Sequence, residues 1–340
     1  MLVTERAAEL RLANACLGIK YQAGLFYRME GTMIRVLGIG DNVCDHYLHT
    51  GMIYPGGNAL NVAVFGGFLG AEAAYLGTFG DDEIGRHVYS VIRELGIDIS
   101  HCRMEEGENG CARVQLVDGE RVFLPGNQGG IAGAKPPVLS KLDEAYISGF
   151  DLIHTSIFSH MEPELPKIRR VGKFVSMDFS DRYDEDYLRR CCPYIDCGEI
   201  SCGDMDEKEI RQIMDQIMKF GCKHMVIATR GSKGAYVLAD GSFYEQSPCL
   251  VKAKDTMGAG DSFIASFLVN YLDGISMAVD FPEKSGGRGL VTAEGYKDAL
   301  IRVSLYRAAV FSSCQCQRDG SFGHGKPVMQ RWAEGDAMEE

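Results

Sequence analysis

The 340-residue sequence is short of positive charge: Lys and Arg number 35 against 47 Asp and Glu, a net charge of -12. It therefore has no broad basic face, so neither nucleic acid nor an anionic membrane surface is an expected partner. It also lacks any apolar run near the roughly 18 residues of a membrane span. Residues 1–32 have neither the continuous apolar core nor the small-residue cleavage site of a signal peptide. They read either as a weakly amphipathic helix or as an over-extended start, since Met33 stands just before the first convincing strand. The 12 cysteines show no paired CxxC spacing, which makes zinc or redox work an outlying reading. Cys191, Cys192, Cys197 and Cys202, or Cys314 and Cys316, are the groups that would hold a metal. Cys44, Cys111, Cys222 and Cys249 lie in or beside apolar runs, which suits buried thiols in a reducing cytoplasm. No internal repeat of fixed period is present. What is there is a chain 46% hydrophobic and 24% charged, enough for one large or two modest domains with a sizeable core.

Residues 254–274 (KDTMGAGDSFIASFLVNYLDG) carry the most chemistry. A polar, glycine-punctuated loop runs into an apolar helix. Phe263, Ile264, Phe267, Leu268, Tyr271 and Leu272 repeat there at helical spacing on one buried face, and Gly274 is the expected stop. The small residues Gly258, Ala259 and Gly260 let backbone amides at the helix start close on an anion, where the helix dipole adds positive charge. Asp261 stands inside that anion site. A carboxylate beside a phosphate is repulsive unless it has a task. Either it accepts a proton from an attacking hydroxyl or it is an ordinary capping aspartate, and the loop alone does not choose.

Upstream, residues 33–40 (MIRVLGIG) read as a first strand. It delivers Asp41, Asn42 and Asp45 to its carboxyl end, where open α/β sheets bind ligands and two carboxylates suit hydroxyl recognition. Turn-forming Asp and Asn are the plainer alternative. In YPGGNALNVAVFGGFLG, Gly56 and Gly57 allow close backbone approach, while Asn58 and Asn61 fall three apart on one helical face. Residues 73–77 read as a strand, followed by an acidic GDDEIG start to a helix carrying Val88, Val91, Ile92 and Leu95. Residues 111–130 alternate around Asp118 and Gly119, a hairpin signal. With the extended residues 46–55 they predict a small sheet apart from the main one, a lid or a dimer surface. Beyond 142, strands at 151–158, 174–180, 224–231 and 234–240 alternate with helices at 162–171, 185–192 and 206–220. That order predicts parallel strands with helices on both faces. Thr229, Gly231, Ser232 and Gly234 follow a strand, suited to a phosphate or nucleotide contact, to a hairpin turn, or to both. Residues 281–298 read as a polar, Gly-rich insertion between two helices, the second resuming at 305–313. The acidic tail from Val328 is expected to fray.

Three separated pieces agree: GGNALNVA at 56–63, TRGSKG at 229–234 and DTMGAGDSF at 255–263. In that order they resemble the ribokinase-like (pfkB) carbohydrate kinase family, whose signature regions are GGxxxN and DTxGAGD. The resemblance runs from Ile34 to about Gly325. Within the family, GDNVCD, the GGNALNVAV continuation, HTSIFSH and MDFSD are most similar to the fructoselysine 6-kinase subgroup. The resemblance implies a three-layer α/β/α fold with a mostly parallel central sheet. A small β lid from about 46–55 and 111–128 belongs to the same kinase domain at 33–327.

The implied reaction is ATP-dependent phosphorylation, with Mg²⁺, of the 6-hydroxyl of fructoselysine or a related 1-amino-1-deoxyketose. A simple sugar such as fructose or ribose, or non-catalytic sugar or nucleotide binding, are the alternatives. By resemblance, Asp261 is the catalytic base and Gly258, Ala259 and Gly260 form the anion hole. Asp41, Asp45, Gly56, Gly57 and Asn61 match sugar-contacting positions; Asp178 and Asp181 add acid that an amine could use. Thr229, Gly231 and Gly234 match nucleotide-contacting positions. Asp255, with carbonyls from Met257 and the 315–320 loop, resembles a monovalent-cation site, which allows for K⁺. The chain departs from the family's Asn-x-x-Glu motif, which organises Mg²⁺ through water. In EISCGDMDE the nearest residues are Ser201 and Asp204, and Asp204 keeps a carboxylate. Arg230, beside the phosphate path, either holds ATP or faces solvent. The expectation is completed by a cytoplasmic location and by lids pairing in a homodimer, which would cover the hairpin edge.

Overall fold

The computed structural model describes residues 34–117, 120–127, 129–279 and 293–328. The 1–32 extension, the Asp118 and Gly119 turn, most of the 281–298 stretch and the tail from 329 lie outside the described residues. In chain order the elements are β1 (Arg35–Gly40), β2 (Val43–Tyr47), β3 (Met52–Gly56), α1 (Asn58–Phe68), β4 (Glu72–Gly80) and α2 (Glu83–Glu94). Next come β5 (Arg103–Glu105), β6 (Gly110–Val117), β7 (Glu120–Leu124), α3 (Gly130–Ala134), α4 (Lys141–Ile147), β8 (Leu152–Ser156) and α5 (Leu165–Val171). β9 (Val175–Asp178), α6 (Glu185–Cys191), β10 (Cys197–Ser201), α7 (Glu207–Lys219), β11 (Met225–Thr229), β12 (Ala235–Ala239) and β13 (Ser242–Gln246) follow. α8 (Ala259–Val279), α9 (Ala293–Gln315) and β14 (Lys326–Pro327) close the chain.

The larger sheet has nine strands in the order β13-β12-β11-β10-β9-β8-β1-β4-β5. It is parallel from β11 to β5, and β12 and β13 are antiparallel at one edge. The TRGSKG segment is thus a hairpin turn into β12, so 234–240 does not join the parallel set. Apolar residues alternate between the two faces: Val36 belongs to the core that also holds residues of α1, α8 and α9, whereas Leu37 belongs to the core that holds residues of α5, α6 and α7. Each fully buried Leu, Ile, Val or Phe contributes about 1.5–3 kcal/mol, and the result is three layers with the sheet in the middle. On α7, Ile210, Met214 and Ile217 are the buried stripe, and Asp206 with Glu209 forms the capping box that starts it. On α2, Asp82 caps the start by accepting from Gly85 N.

A second sheet, β14-β3-β2-β6-β7, is separate from the first, the small sheet that the sequence predicts. Its strands occupy 43–47, 52–56, 110–117, 120–124 and 326–327, so the first hairpin starts three residues before the 46–55 read from the sequence and the second ends short of 128. Other expectations are corrected. Gly274 does not stop α8, which runs on to Val279; a Cβ there would lie 2.3 Å from Leu300 Cδ1, so the glycine admits α9. Residues 293–298 are the first turns of α9, not loop, and residues 157–158 leave β8 for a 3₁₀ turn. Cys249 is exposed, while Cys44, Cys111, Cys191, Cys192, Cys197, Cys202 and Cys222 are buried thiols. Strand β10 went unread because Gly198 and Glu199 break its apolar run. No helix of the described residues is long and apolar enough to cross a membrane.

Candidate active site

The parallel strands end on one edge of the sheet, and there the polar residues gather. Asp41 follows β1, Ser156 ends β8, Asp178 ends β9, and Ser201 and Thr229 pair across the ends of β10 and β11. This is the edge at which open α/β sheets hold ligands. From β3 the chain enters α1 through Gly57 at φ 114°, a backbone region that disfavours side chains. A Cβ on Gly57 would lie 2.7 Å from Asn42 Cα, and one on Gly56 would lie 2.7 Å from Asp45 Oδ2. The two glycines thus let the strand end close over Asn42 and Asp45. Asp41, also buried, accepts from the Ser156 and Ser159 hydroxyls at 2.7 and 2.6 Å and from Ala59 N at 3.3 Å, tying β1, β8 and the start of α1 together.

Asp261 sits in the first turn of α8, facing α1. Asn58 Nδ2 donates to its Oδ1 at 2.8 Å, and Asn61 Nδ2 donates to its Oδ2 at 2.5 Å. The i, i+3 spacing read from the sequence puts both amides on that face of α1. Asp261 is deep among protein atoms yet keeps an accessible edge. Burial pushes its carboxyl up to about 7; the Asn61 bond opposes this, the charges of Asp178 and Asp41 add to it, and the Asn58 bond opposes it. A carboxylate so tuned takes and gives a proton near neutral pH.

Beneath Asp261 runs a buried polar chain. Asn58 Nδ2 also donates to Asp178 Oδ2 at 2.7 Å, Asn58 Oδ1 lies 2.9 Å from His154 Nε2, and His154 Nδ1 lies 2.7 Å from Ser176 Oγ. Ser180 N donates to Asp178 Oδ1 at 2.7 Å. Burial pushes Asp178 up to about 6 and lowers His154 to about 3, so the imidazole is neutral. The sequence offered Asn58 only as a companion to Asn61, His154 and Ser159 only within the HTSIFSH resemblance, and Ser176 only as part of a strand. For His154 and Ser176 the signal was a polar residue inside an apolar parallel strand, which must find a partner when buried.

At the start of α8, Gly258 holds φ 69° and Ala259 N donates to Thr256 O. No atom lies within 4 Å of where a Gly260 Cβ would be, so the helix tip is open at that residue. Asp255 is buried behind it: Oδ2 accepts from Tyr47 Oη at 2.7 Å and from Gly320 N at 2.8 Å, and Oδ1 accepts from Met257 N at 2.9 Å. Thr229 ends β11 and Gly231 lies on the β11–β12 turn, and a Cβ on Gly234 would clash with Gln246 O. Arg230 is stacked over the Tyr236 ring at 4.5 Å, rather than extended into solvent. Asp204 is fully exposed and paired with Lys233 at 2.8 Å. Asp181 is exposed as well, outside the buried cluster.

Comparison with known proteins places the chain in a family. The pattern of the pfkB family carbohydrate kinases matches residues 31–281. The chain is 40% identical to fructosamine kinase FrlD of Bacillus subtilis over 308 residues, covering 90% of this chain and 99% of that protein. It is 34% identical to fructoselysine 6-kinase of Escherichia coli over 239 residues, covering 70% of this chain and 90% of that one. The fold is similar to ribokinase from Giardia lamblia, with a TM-score of 0.68 at 18% identity over 91% of this chain and 99% of that chain.

Proposed function

The chain belongs to the pfkB family of carbohydrate kinases, and from that premise we propose that it phosphorylates the 6-hydroxyl of fructoselysine or a related 1-amino-1-deoxyketose with ATP. The observation that carries the reading is Asp261, a carboxylate gripped by Asn58 and Asn61 at the open tip of α8. In this reading the sugar hydroxyl gives its proton to Asp261 as its oxygen bonds to the γ-phosphorus of ATP. The bond from that phosphorus to the oxygen retained by ADP then breaks. Backbone amides around Gly258, Ala259 and Gly260 take up charge on the moving phosphoryl group. Asp41, Asp45, Gly56, Gly57 and Asn61 hold the sugar, and Asp178 gives a substrate ammonium a counter-charge that a plain sugar does not need. Two relatives, the Bacillus subtilis fructosamine kinase and the Escherichia coli fructoselysine 6-kinase, support this substrate class. Thr229, Gly231 and Gly234 hold the nucleotide.

Mg²⁺ would neutralise charge on the ATP phosphates. Asp204 would reach a hydrated Mg²⁺ only by giving up Lys233, so the nucleotide's own phosphates would supply more of its hold. Asp255 would hold a monovalent cation such as K⁺ where the 255–257 and 315–320 segments meet. The free thiols suit the cytoplasm. Val122 and Phe123, exposed on lid strand β7, are the surface that lid pairing in a homodimer would cover, which sedimentation of Phe123→Glu against wild type tests. For the reaction itself the test is ADP release with fructoselysine, fructose, ribose and a nucleoside at matched concentration. Preference for fructoselysine is expected, and preference for a plain sugar would remove the amine assignment.

A further inference from the structure

We propose that Asn58 is a positioning residue that fixes Asp261 and keeps it from sharing a proton with Asp178, acting at the end of a buried hydrogen-bond chain that starts at Ser176. The proposal rests on the reading of Asp261 as the base and goes beyond it in assigning what sets that base.

The chain has only one workable polarity. Both N–H groups of the Asn58 amide go to carboxylates, one to Asp178 Oδ2 at 2.7 Å and one to Asp261 Oδ1 at 2.8 Å. Turned over, the amide would set its carbonyl against two acidic groups. Its Oδ1 can therefore only accept, and His154 Nε2 at 2.9 Å must donate. A neutral imidazole has one N–H, so Nδ1 accepts from the Ser176 hydroxyl at 2.7 Å. His154 and Ser176 are fully buried on adjacent strands, and Asn58 opens α1. Every link, the two carboxylates at the ends of β9 and α8 included, is thus held by packed secondary structure. With Asn61 on Oδ2, both Asp261 oxygens are pinned, and each keeps a lone pair for a substrate hydroxyl.

The electrostatic consequence follows from what faces the pair. Asp41 and Asp178 face Asp261, and Asp178 in turn faces Asp41, Asp181 and Glu199. Burial raises the Glu199 carboxyl well above its ordinary value, and the His154 imidazole, lowered to about 3, is neutral. Two carboxylates at close quarters normally relieve their repulsion by sharing a proton, which would leave the base occupied. One amide hydrogen on each removes that incentive. Asp178 and Asp261 titrate close to neutral pH even so, which leaves little margin when the hydrogens are lost.

The test is Asn58→Leu, which keeps bulk and removes both donors. kcat is expected to fall about tenfold or more. The acid limb of its pH profile should move up by about half a unit to one unit, as expected for a lost hydrogen bond to an ionised group, and KM for ATP should change less than about twofold. His154→Gln, whose amide can still donate to Asn58, should leave the acid limb near its wild-type position, whereas His154→Leu should move it. A fall in kcat with the acid limb unmoved would reduce Asn58 to a structural part and overturn the proposal, as would an unchanged kcat. ¹⁵N NMR of wild-type His154 needs no variant to fold: a neutral Nε2–H ring at pH 6 is expected, and an Nδ1–H ring or an imidazolium overturns the chain. Asp261→Asn in parallel separates the two readings. If it keeps turnover, the base reading fails; if it loses turnover while Asn58→Leu leaves the acid limb in place, only the positioning role fails.

Discussion

Asn61 donates to Asp261 Oδ2 over 2.5 Å, and the two residues are 200 positions apart in the chain. One belongs to the first described helix and the other to the helix that the glycine-rich loop runs into, so this bond measures how α1 and α8 are packed. Asn61→Asp places a second carboxylate against the first. The charges repel, the pair takes up a proton, and the base is occupied at neutral pH. kcat at pH 7 is expected to fall about 10²-fold or more, with activity partly regained toward pH 9. A pH profile of steady-state turnover checks this, and a flat loss across the range would speak for misfolding instead.

Stability should carry the mark of the same carboxyl. Burial raises Asp261 from 3.8 to about 7 in the folded chain. Between those values the folded state holds a proton that the unfolded state has released, so stability falls as pH rises through that window and levels off above it. Asp178, raised to about 6, acts in the same direction. His154, lowered to about 3, acts the opposite way and costs stability as pH falls below 6.5. Asp261→Asn removes the first of these, so its stability relative to wild type should rise between pH 4 and pH 7, by an amount on the order of 1–3 kcal/mol after allowing for partial solvent access. Urea midpoints at pH 4, 5.5 and 7 measure the trend, and parallel curves would place Asp261 in an ordinary, solvated setting.

The two glycines of the β3–α1 turn should fail differently. Gly57→Ala puts a side chain at φ 114° with its Cβ 2.7 Å from backbone at Asn42, which costs about 1–3 kcal/mol or more in stability. Gly56→Ala meets the Asp45 carboxylate instead, a side chain that can move. Its expected effect is on KM for the sugar, with little change in melting temperature. Thermal melts and sugar titrations of the pair distinguish these outcomes. Equal loss of stability in both would contradict the placement of Asp45.

Most of the large sheet, the small sheet and α8 could be read from apolar periodicity, because each of those segments buries a face that its spacing declares. Phe263, Ile264, Phe267, Leu268 and Tyr271 are all buried, as their spacing requires. Gly274 misled because a glycine that admits a neighbouring helix looks the same in sequence as one that ends a helix. β10 was hidden by Glu199, a buried acid inside a strand. The site divides in the same way. Asp41, Asp261, Gly57 and Asn61 were legible, since short motifs bring their chemistry together locally. His154, Ser176 and the double role of Asn58 were not, because each acquires its partner only through strand register and helix packing across some 20 to 200 positions.

Asp261→Asn, assayed with saturating ATP and fructoselysine while calorimetry follows binding of the sugar alone, tests the central claim most directly. Loss of about 10²–10⁴-fold in kcat with sugar affinity kept within a fewfold is the predicted result. Turnover close to wild type in that variant would contradict the account, since the hydroxyl proton would then have some other acceptor.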